Sequence, residues 1–217
     1  MKKFVRFFSL CALFVLLCCS SILMFGCGPV EFDMSGIELN NQTKSYNGKP
    51  QRPLLSFTKE PPQLPQIRYE YELNGKSVES AILPGTYNVK VLFDVDTTKY
   101  KPVAPLEATM TISLIGSKFK VSSSNYKYLE IRSEDQIAFV GFDNNSYIWR
   151  AHLQQTSDTV WSIVSDNSIQ YDIKTGYSSS ETQITNTILE FQDNGTVTAT
   201  QTFENASNET YTLTPQD

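Results

Sequence analysis

Alternation of apolar and polar residues runs through much of the chain and predicts strands. Between Ile67 and Leu73 every second residue is apolar and the residues between them are charged. A period of two places one face of a strand in a core and the other in water. Asn74-Gly75 follows at once, and this pair favours the positive φ angles of a two-residue hairpin turn. We therefore predict a hairpin whose second strand runs back along Lys76 to Ile82.

The same alternation returns at Tyr87 to Phe93 and at Leu106 to Ile112. Prolines fall between these runs, where a missing backbone N–H removes no ladder hydrogen bond. No helical period is found in this half of the chain, which predicts an antiparallel β module over residues 36–115.

Composition changes after a short linker at Ser113 to Lys118. Proline is absent from there until Pro215, and Ser, Thr, Asn and Gln become frequent. Short alternating runs separated by turn residues are typical of a meander of local hairpins. Residues 118–217 are therefore predicted to form a β-meander that is either an up-and-down barrel or a second sandwich, with one strand at Ser168 to Lys174. The fold class is all-β, preceded by one signal helix.

That helix is predicted at the start of the chain. Basic residues precede Phe7, and no charged residue occurs from Phe7 to Phe25. This run of about 19 residues would reach roughly 28 Å as a helix, so its length fits either a cleaved signal or an uncleaved anchor. The small Gly26 then precedes Cys27. We predict a signal peptide over residues 1–26 and a tether over residues 27–35.

The exit Met24-Phe25-Gly26-Cys27 resembles the lipobox of bacterial lipoproteins. The family favours Leu where this chain has Met24 and a small residue where it has Phe25. The resemblance implies that Cys27 is lipidated and becomes the first mature residue, with the membrane as a partner through the lipid anchor. It also implies an extracytoplasmic location at the cell membrane. An uncleaved transmembrane anchor and a simple secretory signal are the alternatives.

The composition limits how the exported part can be stabilised and which partners it can bind. All four cysteines lie within the first 27 residues, so the exported part has none left for a disulfide. Its modules must therefore be stabilised by buried apolar side chains. The formal net charge of −5 disfavours binding to nucleic acid, which is itself negatively charged. Removal of the signal peptide would also remove its basic residues and leave the exported part more acidic.

Four segments of the first module resemble the bacterial Ig-like repeats of the MBG type. They are Ser45-Tyr46-Asn47-Gly48-Lys49, Pro84-Gly85-Thr86-Tyr87-Asn88-Val89, Lys99-Tyr100 and Ala108-Thr109-Met110-Thr111-Ile112. Asn47 stands where the family has Asp, and Met110 where it has Leu. The resemblance implies an Ig-like β-sandwich over residues 36–115, with a corner at Gly85 and Tyr87 packed beneath it. These repeats occur in surface proteins as tandem arrays. A single copy is expected to act as a spacer.

The second module is similar, in its order of short hairpins, to the lipocalin-like domains of bacterial lipoproteins. The strand that carries Trp161 and a later Leu189-Glu190-Phe191 segment contribute to this similarity. It implies a barrel able to carry a small apolar ligand.

Little in the chain points to catalysis. His152 is the single histidine and is interpreted as an ordinary residue on a solvated strand face. One imidazole does not make a multi-histidine metal site. Asp94 and Asp96 could share a calcium ion, or they are simply solvated. We expect no enzyme, no cofactor and no metal site.

Aromatic residues in the middle of the second module are the candidate ligand contacts. The set is Tyr147, Trp149, Trp161, Tyr171 and Tyr177. Such rings stack on sugars or line apolar pockets, and the alternative is that they belong to the core. Tyr147, Trp149 and Trp161 are proposed as ligand-binding residues. The chain is then expected to be a binding, adhesion or envelope-structural module with a protein or glycan partner. A carrier of an apolar ligand is the alternative.

Overall fold

A computed structural model describes residues 28–59, 65–122, 125–165, 171–176 and 184–216. The signal peptide and Cys27 lie outside the described residues. The described part contains strands and no helix, which confirms the all-β class. The first seven strands are β1 (Ile37–Leu39), β2 (Gln42–Ser45), β3 (Leu55–Phe57), β4 (Gln66–Leu73), β5 (Lys76–Val78), β6 (Gly85–Asp94) and β7 (Leu106–Ser113). The next eight are β8 (Lys118–Lys120), β9 (Tyr126–Ser133), β10 (Gln136–Gly141), β11 (Ser146–Gln155), β12 (Val160–Ser165), β13 (Ile184–Phe191), β14 (Val197–Phe203) and β15 (Glu209–Gln216).

Strands β1 to β7, called the sandwich below, form two sheets. The larger has the order β2-β7-β6-β4-β5, and β1 pairs with β3 in the smaller. All neighbours are antiparallel except β2 and β7, which are parallel with Thr43 opposite Thr111. Apolar residues of both sheets belong to one buried cluster, including Ile37, Val91 and Met110. The alternation seen in the sequence is therefore the alternation of core and solvent faces.

The Asn74-Gly75 turn has the geometry that the sequence predicts. Both residues have positive φ angles, 52° and 76°. The returning strand β5 ends at Val78, however, earlier than the predicted Ile82. Ala81 bridges Gln51 instead, and its carbonyl oxygen accepts a hydrogen bond from Gln51 N at 2.9 Å. That competing partner draws the chain away from β4.

Tyr87 lies buried beneath the corner at Gly85. Its hydroxyl group donates a 2.7 Å hydrogen bond to the carbonyl oxygen of Leu83, four residues earlier. Gly85 has φ +151°, and a Cβ there would lie 2.9 Å from the Leu73 side chain. The arrangement corresponds to a tyrosine corner, in which one side chain holds a loop against the strand that follows.

Strands β8 to β15, called the barrel below, close on themselves. The order is β10-β11-β12-β13-β14-β15-β8-β9, all antiparallel. Closure depends on the short β8, where Phe119 is paired with Leu129 of β9 and with Pro215 of β15. A closed sheet has no free edge, so no strand of the barrel needs a covering layer. Of the two predicted alternatives, the barrel is correct.

The predicted strand at Ser168 to Lys174 is not present where the chain is described. Tyr171 to Gly176 form a turn, with Gly176 N donating to the carbonyl oxygen of Asp172. Strand β12 pairs directly with β13, with Trp161 opposite Leu189. The barrel thus closes without a strand at this point.

Tyr46 joins the sandwich to the barrel. Its ring lies 5.0 Å from Phe191 and 6.1 Å from Phe119, both buried barrel residues. Its hydroxyl group donates to the carbonyl oxygen of Gly195 at 2.9 Å. Tyr46 is only 1% exposed, so this single side chain is shared between the two cores.

The connection between sandwich and barrel is held by backbone hydrogen bonds. Gly116 N donates to the carbonyl oxygen of Ile131, and Ile131 N donates to that of Ser117. Gly116 has φ +84°, a conformation that favours glycine. The predicted linker is thus short and pinned to β9.

Candidate functional site

The structure separates the three proposed ligand-binding residues into two places. Tyr147 and Trp149 lie together on β11, with ring centroids 6.2 Å apart. Trp161, on β12, is opposite Gln155 at the other end of β11. Six residues of strand separate Trp149 from Gln155, roughly 20 Å along β11. Tyr147 and Trp149 therefore share a surface that Trp161 does not reach.

Tyr147 and Trp149 belong to what we call the distal aromatic cluster, at the barrel end away from the sandwich. Its members are Tyr126, Phe139, Tyr147, Trp149 and Tyr171. Phe139 is the centre, with its ring 5.2 Å from Trp149, 5.5 Å from Tyr126 and 6.0 Å from Tyr171. Tyr126 also contacts Tyr147 edge to face at 5.6 Å. Offset and edge contacts of this kind favour a fixed arrangement of rings.

Tyr126 and Phe139 are members that sequence reasoning missed. Both lie in strands, and their position beside Tyr147 follows from the pairing of β9, β10 and β11. Phe139 is directly opposite Tyr147 in that register. Asp143-Asn144-Asn145 is the signal that could have found Phe139. These residues favour a hairpin turn, and a hairpin that turns there places Phe139 opposite Tyr147.

The rim of this end exposes apolar side chains. Phe142 is 65% exposed, Ile148 52% and Tyr147 50%. Trp149 is only partly buried and packs against the core. Burial raises the pKa of the Tyr126 hydroxyl group, and the neighbouring Tyr147 adds to that rise. Tyr147 thus offers an aromatic face to a partner, whereas Tyr126 and Phe139 support it from below.

A buried polar side chain in the barrel, Gln201, orders the turn from Tyr171 to Gly176, which is called the inner turn below. Gln201 is fully buried, and its Oε1 accepts a hydrogen bond from Ile173 N at 3.1 Å. Its Nε2 donates to the Tyr171 carbonyl oxygen at 3.2 Å and to Thr187 Oγ1 at 3.3 Å. A buried amide whose groups are all paired costs little, so one side chain holds the turn inside the barrel.

Tyr171 and Ile173 fill space that a hollow barrel would leave empty. Both are about 1% exposed. Burial raises the pKa of the Tyr171 hydroxyl group, and the nearby Thr187 hydroxyl opposes part of that rise. A groove of about 400 Å³ remains beside them at the mouth, lined in part by Ile173 and Tyr211. Carriage of a small apolar ligand stays a prediction. Tyr177 lies outside the described residues.

Trp161 lies at the barrel end that faces the sandwich. It lines a cleft of about 350 Å³ to which both parts contribute. The indole ring is partly buried, and its Nε1–H has no acceptor within the described ranges. Trp161 is therefore a candidate for a site of its own.

The other candidate residues are accounted for by ordinary contacts. His152 is exposed on β11, opposite Val164. Asp94 accepts two hydrogen bonds from Arg68, at 2.7 and 2.9 Å, and these bonds lower the pKa of its carboxyl group. Asp96 accepts from the backbone N and hydroxyl group of Thr98, which lowers its pKa too. Both carboxylates stabilise the end of the sandwich. No group of three or more metal-ligating side chains occurs among the described residues.

Comparisons with known proteins add no relative. No protein-family model, curated protein or solved structure matches this chain. Across the described ranges, no helix has both the length and the apolar character to cross a membrane.

Proposed function

We propose that the chain is a lipid-anchored bacterial cell-surface protein, acylated at Cys27, that presents its barrel as a binding or envelope-structural module. The lipobox-like exit at Gly26-Cys27 motivates the anchor. Two acyl chains hold a protein at a bilayer far more firmly than one does.

The position of the N-terminal segment carries the proposal. Val30 N donates to the Lys99 carbonyl oxygen at 2.9 Å, and Lys101 N donates to the Val30 carbonyl oxygen at 2.8 Å. Phe32 packs edge to face on Tyr100 at 5.3 Å. The predicted tether is therefore docked on the sandwich from Val30 onwards. Only Gly28 and Pro29 separate it from Cys27.

This docking site and the barrel lie at opposite ends of the sandwich. Val30 meets the loop that follows Asp94, the last residue of β6, whereas Gly85, the first residue, lines the cleft beside the barrel. Ten residues of strand cover roughly 30 Å. An anchor at Cys27 would thus hold one end of the sandwich at the bilayer and the barrel away from it.

The exposed distal rim is the surface that a partner would meet first. Phe142, Tyr147 and Ile148 lie at the barrel end remote from the sandwich, and each is at least half exposed. Apolar side chains grouped at one exposed tip favour protein or glycan contact over plain solvation. These exposed side chains support the proposal that the barrel is a binding module.

Metabolic labelling with a clickable fatty acid tests the anchor. We expect wild-type protein to be labelled and to partition with membranes, and Cys27→Ala to lose both properties. Cys19→Ala is the matched control, because Cys19 lies within the apolar run and should leave labelling unchanged. Equal labelling of wild type and Cys27→Ala, or none in wild type, would end the proposal.

A further inference from the structure

The cleft between sandwich and barrel, called the inter-module cleft, has walls that two different sheets supply. Its volume of about 350 Å³ falls within the range of about 300–1,000 Å³ that is usual for small-molecule sites. The residues that line it include Thr86 and Thr111 from the sandwich, and Glu134, Gln155 and Trp161 from the barrel.

The sandwich wall offers hydroxyl groups to the cleft. Thr86 and Thr111 are cross-strand neighbours with hydroxyl oxygens 3.0 Å apart. One hydroxyl can donate once and accept twice, so this pair keeps capacity for a ligand after bonding to each other. Ile112 and Leu114 are buried and offer a ligand almost no surface. This wall therefore suits a ligand that has hydroxyl groups of its own.

The barrel wall adds a carboxylate, a carboxamide and an indole ring. Glu134 and Gln155 are exposed, and their side chains make no hydrogen bond or ion pair within the part of the chain that is described. Trp161 is partly exposed beside them. Its Nε1–H is itself buried and has no acceptor within the same described ranges, so the ring face, and not this donor, is what Trp161 offers to a ligand.

These groups select among ligand classes. Among the described residues no lysine or arginine lines the cleft, and Glu134 adds negative charge, so a phosphate or another anion is disfavoured. A purely apolar ligand would leave the threonine, glutamine and glutamate groups unpaired. An aromatic ring beside amide, carboxylate and hydroxyl groups matches a sugar, which has an apolar C–H face and a rim of hydroxyl groups.

We propose that the inter-module cleft binds an uncharged saccharide of one or two units, with Trp161 against the sugar face and Gln155 and Glu134 on its hydroxyl groups. The inference goes beyond the proposed function, since the inter-module cleft is a separate site from the distal rim, and it rests on the proposed function only for access to extracellular glycans. The contact of Tyr46 with Gly195 holds the two walls together. Such preorganisation lowers the entropy cost of binding.

Titration of the full-length protein in detergent micelles tests the proposal. The probes are glucose, galactose, N-acetylglucosamine and their β-linked disaccharides, followed by tryptophan fluorescence and calorimetry. We expect saturable binding of at least one probe at millimolar or lower concentration. Trp161→Phe and Gln155→Ala should each weaken it about tenfold or more. Gln154→Ala is the matched control, because Gln154 is the neighbouring exposed residue and does not line the cleft.

Each result decides the matter. Absence of binding by every probe overturns the saccharide assignment, as does binding that survives Gln155→Ala unchanged. Gln155 is exposed, so its variant keeps the test valid even if Trp161→Phe fails to fold. Fatty-acid labelling of the same preparation reports separately on the anchor, so failure of the cleft and failure of the proposed function are distinguishable.

Discussion

Gly195 and Gly48 meet so closely that neither has room for a side chain. A Cβ on Gly195 would lie 1.8 Å from the Gly48 carbonyl oxygen, and both residues have positive φ angles, +81° and +72°. The hydroxyl group of Tyr46 reaches the Gly195 carbonyl oxygen beside this contact. The Tyr46-Asn47-Gly48 segment of the sandwich therefore packs directly against the barrel turn that contains Gly195. This contact is the joint between the two parts.

Gly195→Ala tests the closeness of that joint. The substitution must move the backbone of one partner, so we expect a loss of stability above the roughly 1–2 kcal/mol that positive φ alone costs. Gly75→Ala is the control, since Gly75 has φ +76° but open space around it. Denaturant unfolding measures both. Equal losses for the two variants would show that the contact with Gly48 is dispensable.

Two other contacts between the parts should differ in strength. Tyr46→Ala empties a site shared by both cores and should cost about 3–5 kcal/mol. Asp158 Oδ1 accepts a 2.8 Å hydrogen bond from Asn74 Nδ2, and Asp158 Oδ2 lies 3.7 Å from Lys76 Nζ. All three side chains are exposed. Asp158→Ala should therefore cost less than about 1 kcal/mol. Thermal unfolding compares them, and a larger effect for Asp158→Ala would contradict the central role of Tyr46.

Gln201→Leu should release the inner turn of the barrel. The change leaves the buried Ile173 N–H without its acceptor, at a cost of about 1–3 kcal/mol. Limited proteolysis with trypsin should then cut faster after the exposed Lys174. Gln154→Leu, on the outer face, is the control and should leave cleavage unchanged. Unaltered cleavage in Gln201→Leu would mean that packing alone holds the turn.

Stability should fall at alkaline pH because of buried tyrosines. Burial raises the pKa of Tyr71 and of Tyr87 to about 12, against about 10 in an unfolded chain. The contribution of each is complete below pH 10 and is lost as pH rises through the folded value. Between these limits each tyrosine should lower the free energy of unfolding by about 1.4 kcal/mol per pH unit.

Urea unfolding at several pH values, read beside tyrosinate absorbance, checks this. Tyr87→Phe removes one titrating group and should flatten the decline. A free energy of unfolding that stays constant up to pH 12 would contradict the burial of these hydroxyl groups.

Local features of the fold were predictable because they depend on neighbours in sequence. The Asn74-Gly75 turn follows from the φ angles that these two residues tolerate. Strand β6, Gly85–Asp94, contains the alternating run predicted at Tyr87 to Phe93. From Tyr171 to Lys174 the predicted strand is absent for a physical reason: Gln201, thirty residues after Tyr171, bonds the backbone of Tyr171 and Ile173 that a strand would have needed.

Alternation by itself determined that this protein is built of strands, and which side chains share the buried face of strands such as β4 and β6. Only the tertiary structure decided that the second half closes into a barrel, since pairing of β8 with β15 joins distant segments. It also placed Trp161 in a cleft apart from Trp149. Tyr46 and Gly195 are 149 residues apart, and a period of two carries no information about which strands become neighbours.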